Sequence, residues 1–155
     1  MAHYNQSTRE RVADINRGLL VTKSATATSG ATTKNIFTVS GGNILVTGLV
    51  GVVTTVLGGV TNNVKFISTP TAGTAVDISG NVDCDALEAG GFVGVTGTIG
   101  ANTVKSNAGA GTFPTTAFVV APGTIGMATD ADTTGAMKWY LTYVPLDVGA
   151  YVEAA

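Results

Sequence analysis

Nothing between Lys34 and Lys65 carries a formal charge, and this neutral run contains "ILVTGLVGVVTTVLGGV", Ile44 to Val60. Such a stretch can be a membrane span, a buried core segment, or a surface that another chain covers. A spanning helix needs about 20 predominantly apolar residues. Ile44 to Val60 is 17 residues long, and it includes Gly48, Gly51, Gly58, Gly59, Thr47, Thr54 and Thr55. The glycines make no G-x-x-x-G face, and no basic cluster flanks the segment. The β-branched valines and threonines that dominate it are restricted in helices and pack well on a pleated surface. As β-structure, Ile44, Val46 and Gly48 share one face, and Val53 resumes the alternation after a turn or bulge near "GLVG". The pattern predicts two strands, or one bent strand. It leaves the missing charge to be explained by burial or by a partner.

The rest of the chain uses the same alphabet. Short β-type runs ("NIFTVS", "NVKFIS", "AVDIS", "GFVGVTG", "TAFVVA", "TIGMAT", "MKWYLTYVPL") alternate with breaks such as "SGG", "TPTAG", "AGG", "NAGAG" and "APG". Many short strands at this spacing predict an all-β body, a jelly roll or β-sandwich of antiparallel strands or a small barrel. A chain of 155 residues suits one such domain, with a core that needs no disulfide or metal. In "AMKWYLTYV", Met137, Trp139, Leu141 and Tyr143 fall on one face, with Lys138, Tyr140, Thr142 and Val144 opposite. That period of two marks a strand, with Trp139 in the core. Residues 1–33 are expected to be an extended N-terminal arm and linker, with a short helix in "TRERVADIN" and a flexible "TKSATATSGATTK". Residues 34–155 are expected to be the body.

Charge narrows the function. Only 12% of residues are charged, against about 25% in typical soluble domains, and the net charge is −2. Neither nucleic acid nor membrane is an expected partner. Strand surfaces made of Val, Thr, Gly and Asn lack the mixed charges that keep monomers apart, so a homo-oligomer or larger assembly is expected. Arg9, Arg11, Arg17 and Lys23 give the arm a basic character, suited to docking on an acidic partner. The N-terminal stretch has no apolar core of the signal-peptide kind, so synthesis in a cytoplasm is the simplest expectation, and the "NQS" at Asn5 is taken as an accidental glycosylation match.

Catalytic motifs are scarce. The one histidine, His3, stands in the arm and gives no framework for a triad. The one cysteine, Cys84, lies between Asp83 and Asp85, which disfavour a thiolate, so a buried structural thiol is expected. Asp77, Ser79, Asn81, Asp83, Asp85 and Glu88 follow calcium-loop spacing, but Val82 takes the place of the turn glycine and no amphipathic helices flank the window. A solvated connection between strands is the simpler reading. Asp83, Asp85, Glu88, Asp130 and Asp132 supply carboxylates for a hydrolase pair in principle, without the clustered aromatics of a carbohydrate cleft. No enzyme, metal or cofactor is expected.

The segments "IFTVSGGNILVTGLVGVVTTV", "NNVKFISTPTAGT", "FVVAPGTIGM" and "GAMKWYLTYVPLDVGAYVEAA" resemble small virion structural proteins of tailed bacteriophages, with "KWYLTYVPL" the most specific element. The resemblance runs from about Ile36 to the last residue. It implies a capsid decoration (cement) protein, placed on the virion surface after synthesis in the bacterial host cytoplasm. Its partners would be the major capsid protein and itself, as a homotrimer at threefold positions, with no small-molecule substrate. The alternative is a tail, fibre or other virion component binding a host receptor, which exposed aromatics around Trp139 or Tyr143 would favour. A small hydrolytic or metal-dependent enzyme is the remaining class, and would require clustered acids and a bound ion.

Overall fold

The computed structural model describes residues 18–107, 109–111 and 116–155. Among these residues there are twelve strands and no helix: β1 (Leu19–Ala27), β2 (Thr33–Ser40), β3 (Ile44–Gly58), β4 (Asn63–Pro70), β5 (Val76–Asp77), β6 (Val82–Asp83), β7 (Phe92–Gly94), β8 (Val104–Ser106), β9 (Phe118–Val120), β10 (Gly123–Thr129), β11 (Thr134–Pro145) and β12 (Tyr151–Ala154). No helix among them is long and apolar enough to cross a membrane. The strands form two antiparallel sheets. The first runs β1-β11-β3-β7-β8, with β9 also on β3; the second runs β12-β2-β10-β4-β5, with β6 also on β4. With the extra edge strands β8 and β12 set aside, β5 and β6 share one position in the sandwich, as do β7 and β9. The first sheet then takes the first, eighth, third and sixth positions along the chain, and the second takes the second, seventh, fourth and fifth. That is the strand order of a jelly roll.

Alternation along the strands builds the core between the sheets. Met137, Trp139, Leu141 and Tyr143 of β11 stand opposite Val53, Gly51, Leu49 and Val46 of β3. Against this layer the second sheet places Phe37, Val39, Val64, Phe66, Ile125 and Met127, all buried. The ring of Phe66 meets Trp139 edge-on, at 5.5 Å between centroids and 86° between planes, which suits the quadrupoles of both rings. Trp139 is completely buried, as the alternation predicts.

The neutral segment forms one strand. β3 runs unbroken for 15 residues and pairs with β11 along its length. Gly48 pairs with Thr142 but Val46 pairs with Tyr143, so Thr47 is an extra residue that bends the strand. Of the two forms expected, the bent single strand is the one that occurs. Before it, the "SGG" break needs glycine: Gly41 has φ 77°, and a Cβ there would stand 2.1 Å from the Gly149 carbonyl oxygen.

The expected boundary between arm and body moves. "LLVTKSATA" is a strand of the first sheet, with Leu19 to Lys23 registered against Tyr143 to Trp139. The body therefore includes residues 19–33, which were expected to belong to the arm and linker. The helix expected in "TRERVADIN" falls outside the described residues. β1 lacks an apolar stripe because it is an edge strand: Val21, Lys23 and Thr26 are only half-buried, and a Ser/Thr/Ala string satisfies such a position.

Candidate functional site

The acidic groups considered for chemistry do not converge. Asp77 pairs with Lys65 at 2.7 Å. The buried Ser79 hydroxyl accepts the Phe66 N–H at 3.0 Å and shares a 2.7 Å hydrogen bond with Thr103. Asp83 accepts the N–H groups of Asp85 at 3.0 Å and Asn62 at 3.2 Å. Asp85 and Glu88 are exposed. Asp130 accepts both the main-chain and the side-chain N–H of Asn63 at 2.7 Å, and Asp132 accepts the Gly30 N–H at 2.7 Å. Among the described residues no group of three or more His, Cys, Asp or Glu is placed to hold a metal ion. Asp83, Asp130 and Asp132 thus tie down loops. The Asp85 N–H is the main influence holding the Asp83 carboxyl below its ordinary value, and the Asn63 side chain does the same for Asp130.

Cys84 is completely buried next to this corner. Burial is the main cause that pushes its thiol up to about 12, Asp83 adds to it, and Lys105 opposes both. A neutral thiol in an apolar site is a packing residue, as its acidic neighbours suggest. Trp139 and Tyr143 are buried too, so neither offers a platform for a receptor or a sugar. The Tyr143 hydroxyl instead accepts the Val152 N–H at 3.2 Å, joining β11 to β12 across the two sheets.

Of the basic residues assigned to a docking arm, Arg9, Arg11 and Arg17 lie outside the described residues, as does His3. Lys23 belongs to β1 and not to an arm. It stands opposite Trp139 on the core side, and its ammonium donates to the Ala155 main-chain oxygen beside β12. Lys105 repeats the arrangement at the far edge: it stands opposite the buried Val93 and donates to the Asp83 carbonyl at the end of β6. Each lysine closes one open side of the sandwich. Sequence reasoning missed both roles; the one available signal was a lone lysine inside an otherwise uncharged strand.

What remains is surface. On the outward side of the first sheet, Val144, Leu45 and Val119 form one row across three strands. Leu20, Thr142 and Gly48 form a second, Thr22, Tyr140, Val50, Gly94 and Val104 a third, and Lys138, Val52, Phe92 and Ser106 a fourth. None of the six strands in this sheet contains Asp or Glu. The single charge among these rows, Lys138, lies 5.1 Å from the Tyr140 ring centroid, a cation–π contact within the sheet. The outward side of the second sheet differs. Glu153, Thr38, Thr124 and Thr69 cross it in one row, and the Lys65–Asp77 ion pair lies beside them.

The apolar face continues over its β9 edge into a groove of about 240 Å³, where Pro70, Val76, Ile99 and Val119 come together. A larger depression of about 500 Å³ at the other end is lined by Gly58, Gly59, Thr134 and Gly135, and its one carboxylate, Asp132, already holds Gly30. Neither has the convergent polar groups of a catalytic cleft. The molecule is a jelly-roll sandwich with one polar face and one apolar face. Comparison of the chain with protein-family models, curated proteins and solved structures found no match.

Proposed function

We propose that the chain is a non-enzymatic structural component of a tailed-phage virion: a capsid decoration protein that binds the outside of the head and stabilises the major capsid protein lattice as a homotrimer. The observation that carries this reading is the distribution of chemistry over the body. Its buried thiol, most of its lysines and most of the aspartates considered for a site hold the scaffold together, while a broad outward sheet face is largely apolar and has no carboxylate. A protein whose task is to cover and clamp needs a rigid body and contact surfaces, and needs no reactive cleft. The resemblance of its strand segments to small phage virion proteins points the same way. Many copies bound on a lattice gain by multivalency, so a modest contact per copy still reinforces a shell. The receptor-binding alternative draws no support from Trp139 and Tyr143, which are buried.

In this reading Arg9, Arg11 and Arg17 make the capsid contact, ahead of the first body strand at Leu19. Replacing all three by alanine in the full chain is expected to abolish co-sedimentation with shells of the cognate major capsid protein. The circular dichroism of the body should not change. Unchanged occupancy of the shells would sink the arm assignment, and wild-type protein that never sediments with shells would sink the capsid role itself.

A further inference from the structure

The first sheet treats its edges and its face differently. A sheet edge with unpaired N–H and C=O groups invites another strand, and proteins block this with inward-pointing charges, bulges and very short strands. Two of the three edge strands of this sheet carry such a charge: Lys23 on β1 and Lys105 on β8 stand opposite buried residues and reach across to the second sheet, while the third, β9, is only three residues long. β1 also has a register irregularity between Lys23 and Thr26, and β8 is only three residues long. The edges of the second sheet are the two-residue β5 and β6 and the four-residue β12, too short to template a partner strand. Addition of strands at an edge is therefore blocked on all sides.

Among the described residues the outward face carries a single charge, Lys138. Leu20 and Val119 are 61% and 60% exposed; Thr142, Gly48, Val144 and Leu45 are registered between them, and the half-buried Tyr140, Val50 and Val52 lie in the rows that follow. At about 3.3 Å per residue along a strand and 4.8 Å between strands, the six strands present roughly 700 Å². A standard protein–protein interface buries about 800 Å² per partner. The face is thus close in size to one side of a standard interface. Its charge pattern points to the occupant. A face without a carboxylate, whose one cation lies by its own Tyr140, offers no electrostatic handle to a charged partner. With Lys138 already held against Tyr140 and no carboxylate to answer a basic partner, the face suits a surface that is itself nearly uncharged, and every copy of this chain supplies such surface.

We propose that the outward face of the β1-β11-β3-β7-β8 sheet is the self-association surface of this protein, covered by a second copy of the chain. The inference rests on the oligomer half of the functional reading above and is independent of its capsid half. Burial in the oligomer accounts for the charge-free Ile44–Val60 segment: its inward side chains face the core, and its outward ones, Leu45, Val50 and Val52, face another subunit.

The test is the solution mass of the full chain at tens of micromolar, by light scattering coupled to size-exclusion chromatography. Wild type is expected as a multimer. Val52→Lys, at the centre of the face, and the doubly substituted Leu20→Lys/Val119→Lys, at its exposed margins, are each expected to elute as monomers with unchanged circular dichroism. Thr38→Lys, on the polar sheet, is expected to keep the wild-type mass. If Val52→Lys fails to fold, the double variant at exposed positions carries the test alone. A monomeric wild type overturns the proposal, and so does a folded face variant that keeps the multimer mass. Co-sedimentation with capsid shells separates the two readings. A monomer that still binds shells overturns self-association and leaves the capsid role standing. A multimer dissociated by the face variants that ignores shells does the reverse.

Discussion

Gly51 and Trp139 show how far a single position constrains this fold. They face each other across β3 and β11, and the indole lies over the glycine so closely that a Cβ at 51 would stand 2.3 Å from Cζ3. Trp139 has nowhere to go, since Phe66 meets it edge-on from the other sheet. Gly51→Ala is therefore expected to destabilise by about 2–3 kcal/mol through overpacking, measured by urea unfolding. A loss below about 0.5 kcal/mol would mean that the indole can shift, and that the contact is looser than described. The core position of Trp139 was legible in the alternation of "AMKWYLTYV". The need for Gly51 was not: the bulge expected near "GLVG" occurs, at Thr47 beside Gly48, but the strand continues through Gly51. A residue's opposite neighbour is set by register, which no local pattern encodes.

At the scale of elements, legibility followed burial. β2, β3, β4, β10 and β11 carry inward apolar rows and were recognisable as strands, and the short β5, β7 and β9 lie within the β-type runs "AVDIS", "GFVGVTG" and "TAFVVA". β6, β8 and β12 are two to four residues long, and β1 is a Ser/Thr/Ala string. Those four bury little, so their sequences are under weak apolar constraint and their pairing comes from neighbours. β12 shows what then holds a short strand in place. Its Val152 N–H donates to the buried Tyr143 hydroxyl at 3.2 Å, an inter-sheet tie that no sequence pattern announces. Tyr143→Phe leaves that N–H without its acceptor and is expected to cost about 1–2 kcal/mol. Amide hydrogen exchange should show the loss concentrated in β12. Uniform loss of protection, or none at β12, would show that the hydroxyl does not anchor the strand.

The whole molecule has a stability window set at its loops and at Cys84. The folded state lowers the carboxyls of Asp83 and Asp130 below their ordinary 3.8, so their contribution is complete above that value and is lost as pH falls through the lowered ones. Cys84 works at the other end. Its thiol rises from 9.0 to about 12 on folding, so above 9.0 the unfolded chain ionises first and stability falls with rising pH. Urea midpoints are expected to be level between these limits and to drop on both sides. Asp130→Asn should flatten the acid side, and Cys84→Ala the alkaline side; an unaltered slope in either variant would remove that residue from the account. By itself the sequence determined the fold class, the strands with an apolar side, the burial of Trp139 and Cys84, and the shortage of surface charge. All of these follow from local periodicity and composition, because side chains alternate with a period of two and charge is a sum over residues. The tertiary structure alone decided the strand order, the place of residues 19–33 within the body, the conversion of Lys23 from arm to edge closure, and the gathering of strands without carboxylates around one outward face. Those depend on which distant segments pair and in what register, and pairing is settled by packing the whole core at once.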